Sequence, residues 1–183
     1  METVVLTGPK HVGKSQTGAA LAELLRVPFI DLDSRIESRT GKSPRTLYRE
    51  GPDVFRNAET EALRSLIETI DAEKYGKRSI REVVAAGGGI VDNEAASALL
   101  QQEGILVVSI EVPVETAWER IRAEAERTGE LPAFLNTENP QETHAALHRR
   151  RAAAARKLAG FTVSGAGTPQ AIAWEIARAI NKR

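Results

Sequence analysis

Eight residues near the amino terminus have the spacing of a phosphate-binding loop. Positions 8–15 read Gly-Pro-Lys-His-Val-Gly-Lys-Ser and match the pattern G-x-x-x-x-G-K-S. The β-branched run 3–7 precedes them and an amphipathic stretch follows, which predicts the strand, turn and helix that this motif requires. Backbone N–H groups of such a loop point at phosphate oxygens, so we expect a nucleoside triphosphate to bind here.

The side chains of this loop have separate expected tasks. Lys14 can reach the β- and γ-phosphates, and the Ser15 hydroxyl is suited to binding Mg²⁺. A glycine turn that separates a strand from a helix by chance is the alternative, and the match at every fixed position of the motif disfavours it. We expect six consecutive residues to contact the nucleotide: His11, Val12, Gly13, Lys14, Ser15 and Gln16.

Two carboxylates follow the second apolar run of the chain. Asp31 and Asp33 come after residues 28–30, which are predicted to form a short strand. Aspartates in such positions often only cap a helix or face solvent. Beside a phosphate loop a second interpretation gains weight, because phosphoryl transfer needs one carboxylate near Mg²⁺ and another group that orients and deprotonates the acceptor hydroxyl.

Arg56 and the glycine triplet 87–89 are two further candidates for the acceptor side. Arg56 lies in the first turns of a predicted helix and could bind an anionic substrate through its guanidinium group. It could equally pair with Glu59 or Glu61 at the surface. The triplet follows the third predicted strand and would let backbone N–H groups approach a ligand, although a plain flexible turn explains it equally well.

The pattern of apolar residues predicts an α/β fold. Five short strands alternating with helices indicate a five-stranded parallel sheet with helices on both faces, whose strand carboxyl ends meet at one ligand-binding edge. Residues 128–140, called the lid loop below, contain Gly, Pro and Asn and are expected to be mobile. The predicted strands cover 3–7, 28–30, 82–86, 105–112 and 161–163, and the predicted helices cover 14–26, 52–70, 114–127, 141–159 and segments beginning near Asn93 and at Pro169.

Composition narrows the class of protein. The 183 residues carry 25 Lys and Arg against 25 Asp and Glu, so the net charge is zero and broad attraction to nucleic acids or anionic membranes is not expected. The lack of cysteine excludes a disulfide scaffold, a thiolate nucleophile and a sulfur-based zinc site. Since no apolar run has transmembrane length and no secretory leader is evident, we expect one soluble, cytoplasmic domain over residues 1–183. A monomer is expected, and the sequence leaves the oligomeric state open.

The sequence resembles the shikimate kinase family. The resemblance runs from the phosphate loop through FIDLDSRIESRTGKS (29–43), GPDVFRNAE (51–59), AAGGGIV (85–91) and a carboxyl-terminal Thr-Pro with its following helix, so it covers almost the whole chain. It implies a P-loop kinase fold with ATP and shikimate as substrates and Mg²⁺ as cofactor. The implied reaction is phosphorylation of the 3-hydroxyl of shikimate, in aromatic amino acid biosynthesis.

The resemblance also implies a role for several matching residues. Asp33 would hold the shikimate hydroxyls and orient the attacking one, and Asp31 would help Ser15 to hold Mg²⁺ through water. Arg56 would pair with the substrate carboxylate. Lys14 would stabilise charge on the transferring phosphoryl group, where electrostatic effects contribute most to catalysis.

Further substrate contacts follow from the same resemblance. Gly88 and Gly89 would line the substrate pocket, and Arg151 would bind the substrate because it lies eight residues before Ala159, as in the family. Neighbouring residues of a helix point about 100° apart, so only one arginine of the run 149–151 can face the site, and Arg151 is the preferred one. The alternative for this run is a solvated basic face.

The lid loop departs from the family pattern. The family carries Arg-Pro-Leu-Leu there, with its arginine reaching ATP, whereas this chain has Leu131-Pro132-Ala133-Phe134. Such an arginine can contribute orders of magnitude in rate, so catalytic power is the property that this change affects. Arg127 matches an arginine that stacks on adenine in the family, opposite a proline that Pro169 matches.

Two single positions also depart from the family. Ala155 replaces a tyrosine, and His11 replaces a glycine of the phosphate loop. A separate pair, His144 and His148, has the i,i+4 spacing of some metal ligands, but without a nearby carboxylate motif surface histidines are the preferred interpretation.

Two other functions stay open beside shikimate phosphorylation. One is a related kinase for another small hydroxy acid, which would use the same loop and arginines. The other is a nucleotide-binding protein of this kind in which the lid changes have weakened catalysis.

Overall fold

The computed structural model describes residues 2–67 and 80–183. Within these ranges five strands alternate with eight α-helices. The strands are β1 Glu2–Thr7, β2 Phe29–Asp31, β3 Ile80–Ala85, β4 Ile105–Glu111 and β5 Phe161–Ser164. The helices are α1 Lys14–Leu25, α2 Leu32–Thr40, α3 Pro44–Glu50, α4 Pro52–Ile67, α5 Glu94–Leu99, α6 Val114–Thr128, α7 Pro140–Leu158 and α8 Pro169–Asn181, with 3₁₀ helices at Ile90–Asp92 and Ala133–Leu135.

The strands form one parallel sheet in the order β2-β3-β1-β4-β5. This confirms the predicted α/β architecture. The chain leaves β1 toward β2 on one side and later reaches β4 on the other, so the order changes direction at the centre of the sheet. Ligands of such sheets bind at the carboxyl ends of the strands beside this point.

Alternation along the central strand divides the core into two layers. Val4 and Leu6 of β1 point into a cluster with α1 and α8, whereas Val5 between them points into a cluster with α2 and α4. Successive side chains of a strand face opposite sides of the sheet, so a continuous apolar run is what a sheet covered on both faces requires. The helices therefore hold the loops after the strands firmly at one edge.

The region between β2 and α4 differs from the sequence prediction. The apolar pattern predicts no helix over residues 32–50, but these residues form α2 and α3. Asp31 caps α2, and Ser43 caps α3 by accepting a hydrogen bond from the Thr46 N–H, with Pro44 at the first helical position. These caps are the local signals that identify both helices.

The remaining elements agree with the prediction to within one or two residues wherever they are described. The predicted end of α4 at Ile70 lies outside the described residues. The lid loop contains the end of α6, the 3₁₀ helix Ala133–Leu135 and the start of α7, and its mobility stays a prediction. No helix among the described residues is long and apolar enough to cross a bilayer.

Gly8 is a position where this fold admits no side chain. Its φ is +132°, and a Cβ there would lie 2.3 Å from the backbone oxygen of Ile110. We expect Gly8→Ala to lower the free energy of unfolding by about 3 kcal/mol or more, because backbone strain adds to the displacement of β4.

The matched control is Gly41→Ala. Gly41 also has a positive φ of +69°, but a Cβ there would meet nothing within 4 Å. Strain alone should lower its stability by about 1 kcal/mol. Urea denaturation measures both variants, and equal losses would contradict the close approach of Gly8 to β4.

Candidate active site

A cavity of about 610 Å³ opens at the carboxyl edge of the sheet. The phosphate loop forms one wall, the segments after β2 and β3 form another, and the start of α8 closes a third. All six residues predicted to contact the nucleotide line this cavity: His11, Val12, Gly13, Lys14, Ser15 and Gln16. Asp31, Asp33 and Gly88 line it too, so the structure brings most predicted site residues together.

Lys14 is buried at the base of the cavity. Its ammonium donates hydrogen bonds to the backbone oxygens of Gly8 at 2.9 Å and Pro9 at 2.8 Å. Burial lowers the pKa of Lys14 to about 8, an effect that the Asp33 carboxylate partly offsets. The side chain is therefore mainly cationic at neutral pH and lies inside the loop that would surround the phosphates.

Asp31 joins the phosphate loop to the acceptor side. Its Oδ2 accepts a hydrogen bond from the Ser15 hydroxyl at 2.7 Å, while its Oδ1 accepts from the backbone N–H groups of Asp33 and Ser34 and caps α2. The capping role and the site role are thus compatible, because each uses a different carboxylate oxygen. Asp31 thereby fixes Asp33 relative to Ser15.

Asp33 faces the cavity and is open to solvent on that side. The protein around its other sides, and next the charge of Asp31, raise the pKa of Asp33, while Lys14 and Lys10 oppose the rise. A carboxylate with a raised pKa is a stronger proton acceptor when it is ionised. Its place beside the phosphate loop suits a base that takes a proton from an acceptor hydroxyl.

Glu59 is a site residue that the sequence patterns did not single out. It is 1% exposed on α4, and its Oε2 accepts a hydrogen bond from Asn93 at 3.0 Å. A Cβ at Gly87 would lie 3.1 Å from Oε1 of Glu59 and 3.4 Å from Oδ1 of Asp33, so both carboxylates border the glycine triplet. Burial raises the pKa of Glu59 to about 7.

A signal for Glu59 exists in the sequence. It lies three and four residues before Ala62 and Leu63, which are buried, so it occupies the apolar face of α4. An ionisable residue on an apolar helix face is unusual and marks a candidate for a site.

Arg151 is the inward-facing member of the arginine run. Its side chain is 19% exposed and pairs with Asp92, with 2.8 Å between Nη2 and Oδ2, whereas Arg150 binds the same carboxylate from the surface and is 59% exposed. A Cβ at Gly89 would lie 3.0 Å from the Arg151 guanidinium. Burial alone would raise the pKa of Asp92, but the bond from Arg150 and the charge of Arg151 outweigh it and lower that pKa.

Arg56 does not line the cavity in this structure. Its side chain is 47% exposed, and its Nη1 lies 3.5 Å from Oδ1 of Asp53, one helical turn earlier. This resembles the surface alternative, although the partner is Asp53 rather than Glu59 or Glu61. An exposed pair of this kind contributes about 0–1 kcal/mol, so it leaves Arg56 free to rearrange.

Arg120, and not Arg127, lies beside the nucleotide end of the cavity. Arg120 lines the cavity together with Pro169, and it donates hydrogen bonds to the backbone oxygens of His11 at 3.0 Å and Gly165 at 3.4 Å. Arg127 is exposed and is not part of the lining. Because α6 continues to Thr128, Arg127 lies two turns and about 10 Å farther along the helix axis.

His11 occupies its loop position with a left-handed backbone. Its φ is +65°, a conformation that favours glycine, and its Nδ1 lies 3.2 Å from Glu124 of α6. Burial, and next the Lys10 ammonium, lower the pKa of His11 to about 4. The ring is therefore neutral at physiological pH and connects the phosphate loop to α6.

The prediction that His144 and His148 are surface histidines is wrong. Each is 4% exposed, because α7 packs against α6 along the side that carries them. The His144 ring lies between Trp118, with centroids 5.5 Å apart, and His148, with centroids 5.4 Å apart. Nε2 of His148 lies 3.1 Å from the backbone oxygen of Val112, and burial lowers the pKa of both rings.

The parallel sheet, the phosphate loop with its buried lysine and the carboxylates after β2 together define a P-loop kinase that acts on a small molecule. The family model described as shikimate kinase matches residues 10–181. The chain belongs to the shikimate kinase family.

Individual relatives support the same assignment. The chain is 33% identical over 179 residues to a shikimate kinase of Aromatoleum aromaticum, covering 97% of this chain and 93% of the relative. It is 40% identical over 156 residues to one of Thermus thermophilus, covering 84% and 76%. A shikimate kinase of Acinetobacter baumannii solved in complex with shikimate superposes with a TM-score of 0.81 at 30% identity, covering 100% of this chain and 94% of that one.

Glu59 should make stability depend on pH. Its pKa in the folded protein, about 7, lies above the ordinary 4.5, so the folded state binds more protons than the unfolded chain between these values. Its contribution to stability therefore falls as pH rises from about 4.5 to about 7. We expect Glu59→Gln to gain about 2–3 kcal/mol relative to the wild type between pH 5 and pH 8.

Urea denaturation at both pH values measures this gain. Glu61→Gln is the matched control, since Glu61 lies on the same helix but its side chain is 60% exposed. A Glu59→Gln difference from wild type that does not change with pH would contradict the buried, protonated state of Glu59.

Proposed function

We propose that this protein transfers the γ-phosphoryl group of ATP to the 3-hydroxyl of shikimate, giving ADP and shikimate 3-phosphate for aromatic amino acid biosynthesis. The observation that carries the proposal is that Lys14 and Asp33 line one cavity and influence each other electrostatically. One group binds phosphate and the other accepts a proton, as transfer to an alcohol requires.

The phosphate loop would bind the nucleotide. Its backbone N–H groups at the start of α1 surround the β- and γ-phosphates, while Lys14 exchanges its bonds to the Gly8 and Pro9 oxygens for phosphate oxygens. Arg120 and Pro169 border the end of the cavity that is left for the base. Arg120 is thereby a second candidate, beside Arg127, for the contact with adenine.

Asp33 would activate the acceptor. Its carboxylate accepts the proton of the 3-hydroxyl as the hydroxyl oxygen attacks the γ-phosphorus, and the bond from that phosphorus to the β–γ bridging oxygen breaks. The proton on Asp33 is then released to solvent. The raised pKa of Asp33 strengthens it as a base for this step.

The arginines and glycines would hold the acceptor's carboxylate. Arg151 is already oriented by Asp92 and packs on Gly89, so its guanidinium is preorganised for an anion. Arg56 would have to leave its weak surface pair with Asp53 to join it. Gly88 lines the cavity and would let the substrate approach the backbone closely.

Ser15 and Asp31 fit a role in holding Mg²⁺. Their oxygens lie 2.7 Å apart, and hydroxyl and carboxylate oxygens are ligands that Mg²⁺ prefers. Among the described residues no cluster of three His, Asp or Glu side chains could enclose a metal, so water and phosphate oxygens would complete the set. When bound, the ion would neutralise charge on the β- and γ-phosphates.

A nucleotide-binding protein with weakened catalysis is the second candidate. Leu131 favours it, because an aliphatic side chain replaces the cation that the family's lid supplies. Turnover separates the two candidates, since both would bind ATP but only a kinase releases ADP in response to shikimate.

The test is a coupled assay of ADP release with ATP and Mg²⁺, with and without shikimate. We expect release to depend on shikimate, and Asp33→Asn to lower kcat at least about 10²-fold, because the proton acceptor is lost. Affinity for ADP should stay within about threefold, since Asp33 does not bind the nucleotide.

The control is Glu23→Gln, an exposed change on α1 that should leave kcat unchanged. Hydrolysis at the same rate with and without shikimate would overturn the proposed function. A panel of other hydroxy acids in the same assay identifies a different acceptor if one is preferred.

A further inference from the structure

A second cavity of about 150 Å³ adjoins the phosphate loop beneath the lid loop. Lys10 and Leu131 both line it, and Lys10 also lines the main cavity with Lys14 and Asp33. The two cavities therefore meet at Lys10 and at Glu124, which also lines both. Leu131, which stands where the family has its lid arginine, contributes only an aliphatic side chain to this place.

Lys10 is held from two sides. Its backbone packs against the glycine triplet, since a Cβ at Gly88 would lie 2.8 Å from the Lys10 nitrogen. Its ammonium lies 5.9 Å from the centre of the Phe134 ring, in the 3₁₀ helix of the lid loop. A cation over an aromatic face is attracted to it, so the lid loop itself positions this ammonium beside the site.

Within the described parts of the chain the Lys10 ammonium has no carboxylate oxygen at ion-pair distance, although Glu124 borders both cavities. Three other cations near the site or the lid loop have such partners, since Arg45 binds Glu130, Arg56 binds Asp53 and Arg151 binds Asp92. Lys14 and Arg120 also border the main cavity without an ion pair to a described residue, but both donate hydrogen bonds to backbone oxygens. Lys10 nevertheless influences the groups of the site, because its charge lowers the pKa of both Asp33 and Lys14. A cation that lies beside the phosphate loop without an ion-pair partner is suited to binding a phosphate group of the nucleotide.

We propose that the Lys10 ammonium contacts the transferring phosphoryl group and supplies the charge that the family's lid arginine supplies elsewhere. The inference rests on the proposed kinase function and names a catalytic residue for it. Lys10 takes part in no covalent step, and the bonds that form and break are those between phosphorus and the two oxygens already described. Phe134 brings the ammonium into place as the lid loop closes.

The first experiment compares Lys10→Met with the wild type in the coupled assay. We expect kcat to fall about 10²- to 10³-fold, as when one charged donor to a transition state is removed, while KM for ATP changes less than about threefold. Lys10→Arg should keep at least about a tenth of the activity, because it retains the charge. Arg45→Met is the matched control, since Arg45 lines the same small cavity but is neutralised by Glu130, and its kcat should stay within about twofold.

The second experiment moves the cation back to the lid. Leu131→Arg in the Lys10→Met background should raise kcat at least about tenfold above the kcat of Lys10→Met alone, because both side chains border the same cavity. Thermal denaturation of each variant shows whether it is folded. Recovery of activity would not occur if Lys10 served only to stabilise the loop, so a folded double variant without recovery would overturn the proposal, as would a Lys10→Met variant with wild-type kcat.

A binding readout separates this proposal from the proposed function. ADP with aluminium fluoride mimics the planar phosphoryl group during transfer, and calorimetry measures the binding of this mimic without turnover. Lys10→Met should weaken binding of ADP with aluminium fluoride about tenfold or more and leave ADP alone unchanged. Equal affinities in wild type and variant would overturn the role of Lys10, whereas ADP release by the wild type that does not depend on shikimate would overturn the proposed function.

Discussion

The two oxygens of the Asp31 carboxylate connect the phosphate loop to the segment after β2. One oxygen binds Ser15 at the start of α1, and the other caps α2, which begins immediately after β2. The side chain that would hold a metal thus also sets the direction in which the next turn presents Asp33. Two segments that follow different strands are joined by a single residue, and the distance between the phosphate loop and Asp33 depends on it.

Around this bridge the charges are arranged so that each one changes its neighbour. Lys14 is buried, and its charge favours the ionised form of Asp33, while the charge of Asp33 raises the pKa of Glu59. Arg151 opposes the rise at Glu59, and Asp92 orients Arg151. Although the net charge of the chain is zero, the site contains neighbouring side chains of opposite charge. Binding of a triphosphate would change the electrostatic environment of all of them together.

How much of this could be read from the sequence depends on how local each contact is. Lys14, Ser15, Asp31 and Asp33 are predictable because a loop or strand end fixes them within a few residues. Glu59 is indicated only by its place on the apolar face of α4, because its contact with the triplet after β3 arises from tertiary packing. Arg120 escapes prediction because it reaches His11 across 109 residues of sequence, whereas the role of Arg127 at the start of the lid loop stays a prediction.

The cluster of tilted rings formed by Trp118, His144 and His148 has a consequence for the lid loop between α6 and α7. These contacts connect α6 to α7, so the two helices to which the lid loop is attached form a common frame for it. This pair of helices also contains a natural fluorophore. The chain has two tryptophans, and Trp174 lies on the exposed face of α8. The fluorescence of Trp118 should therefore report on the contact between α6 and α7.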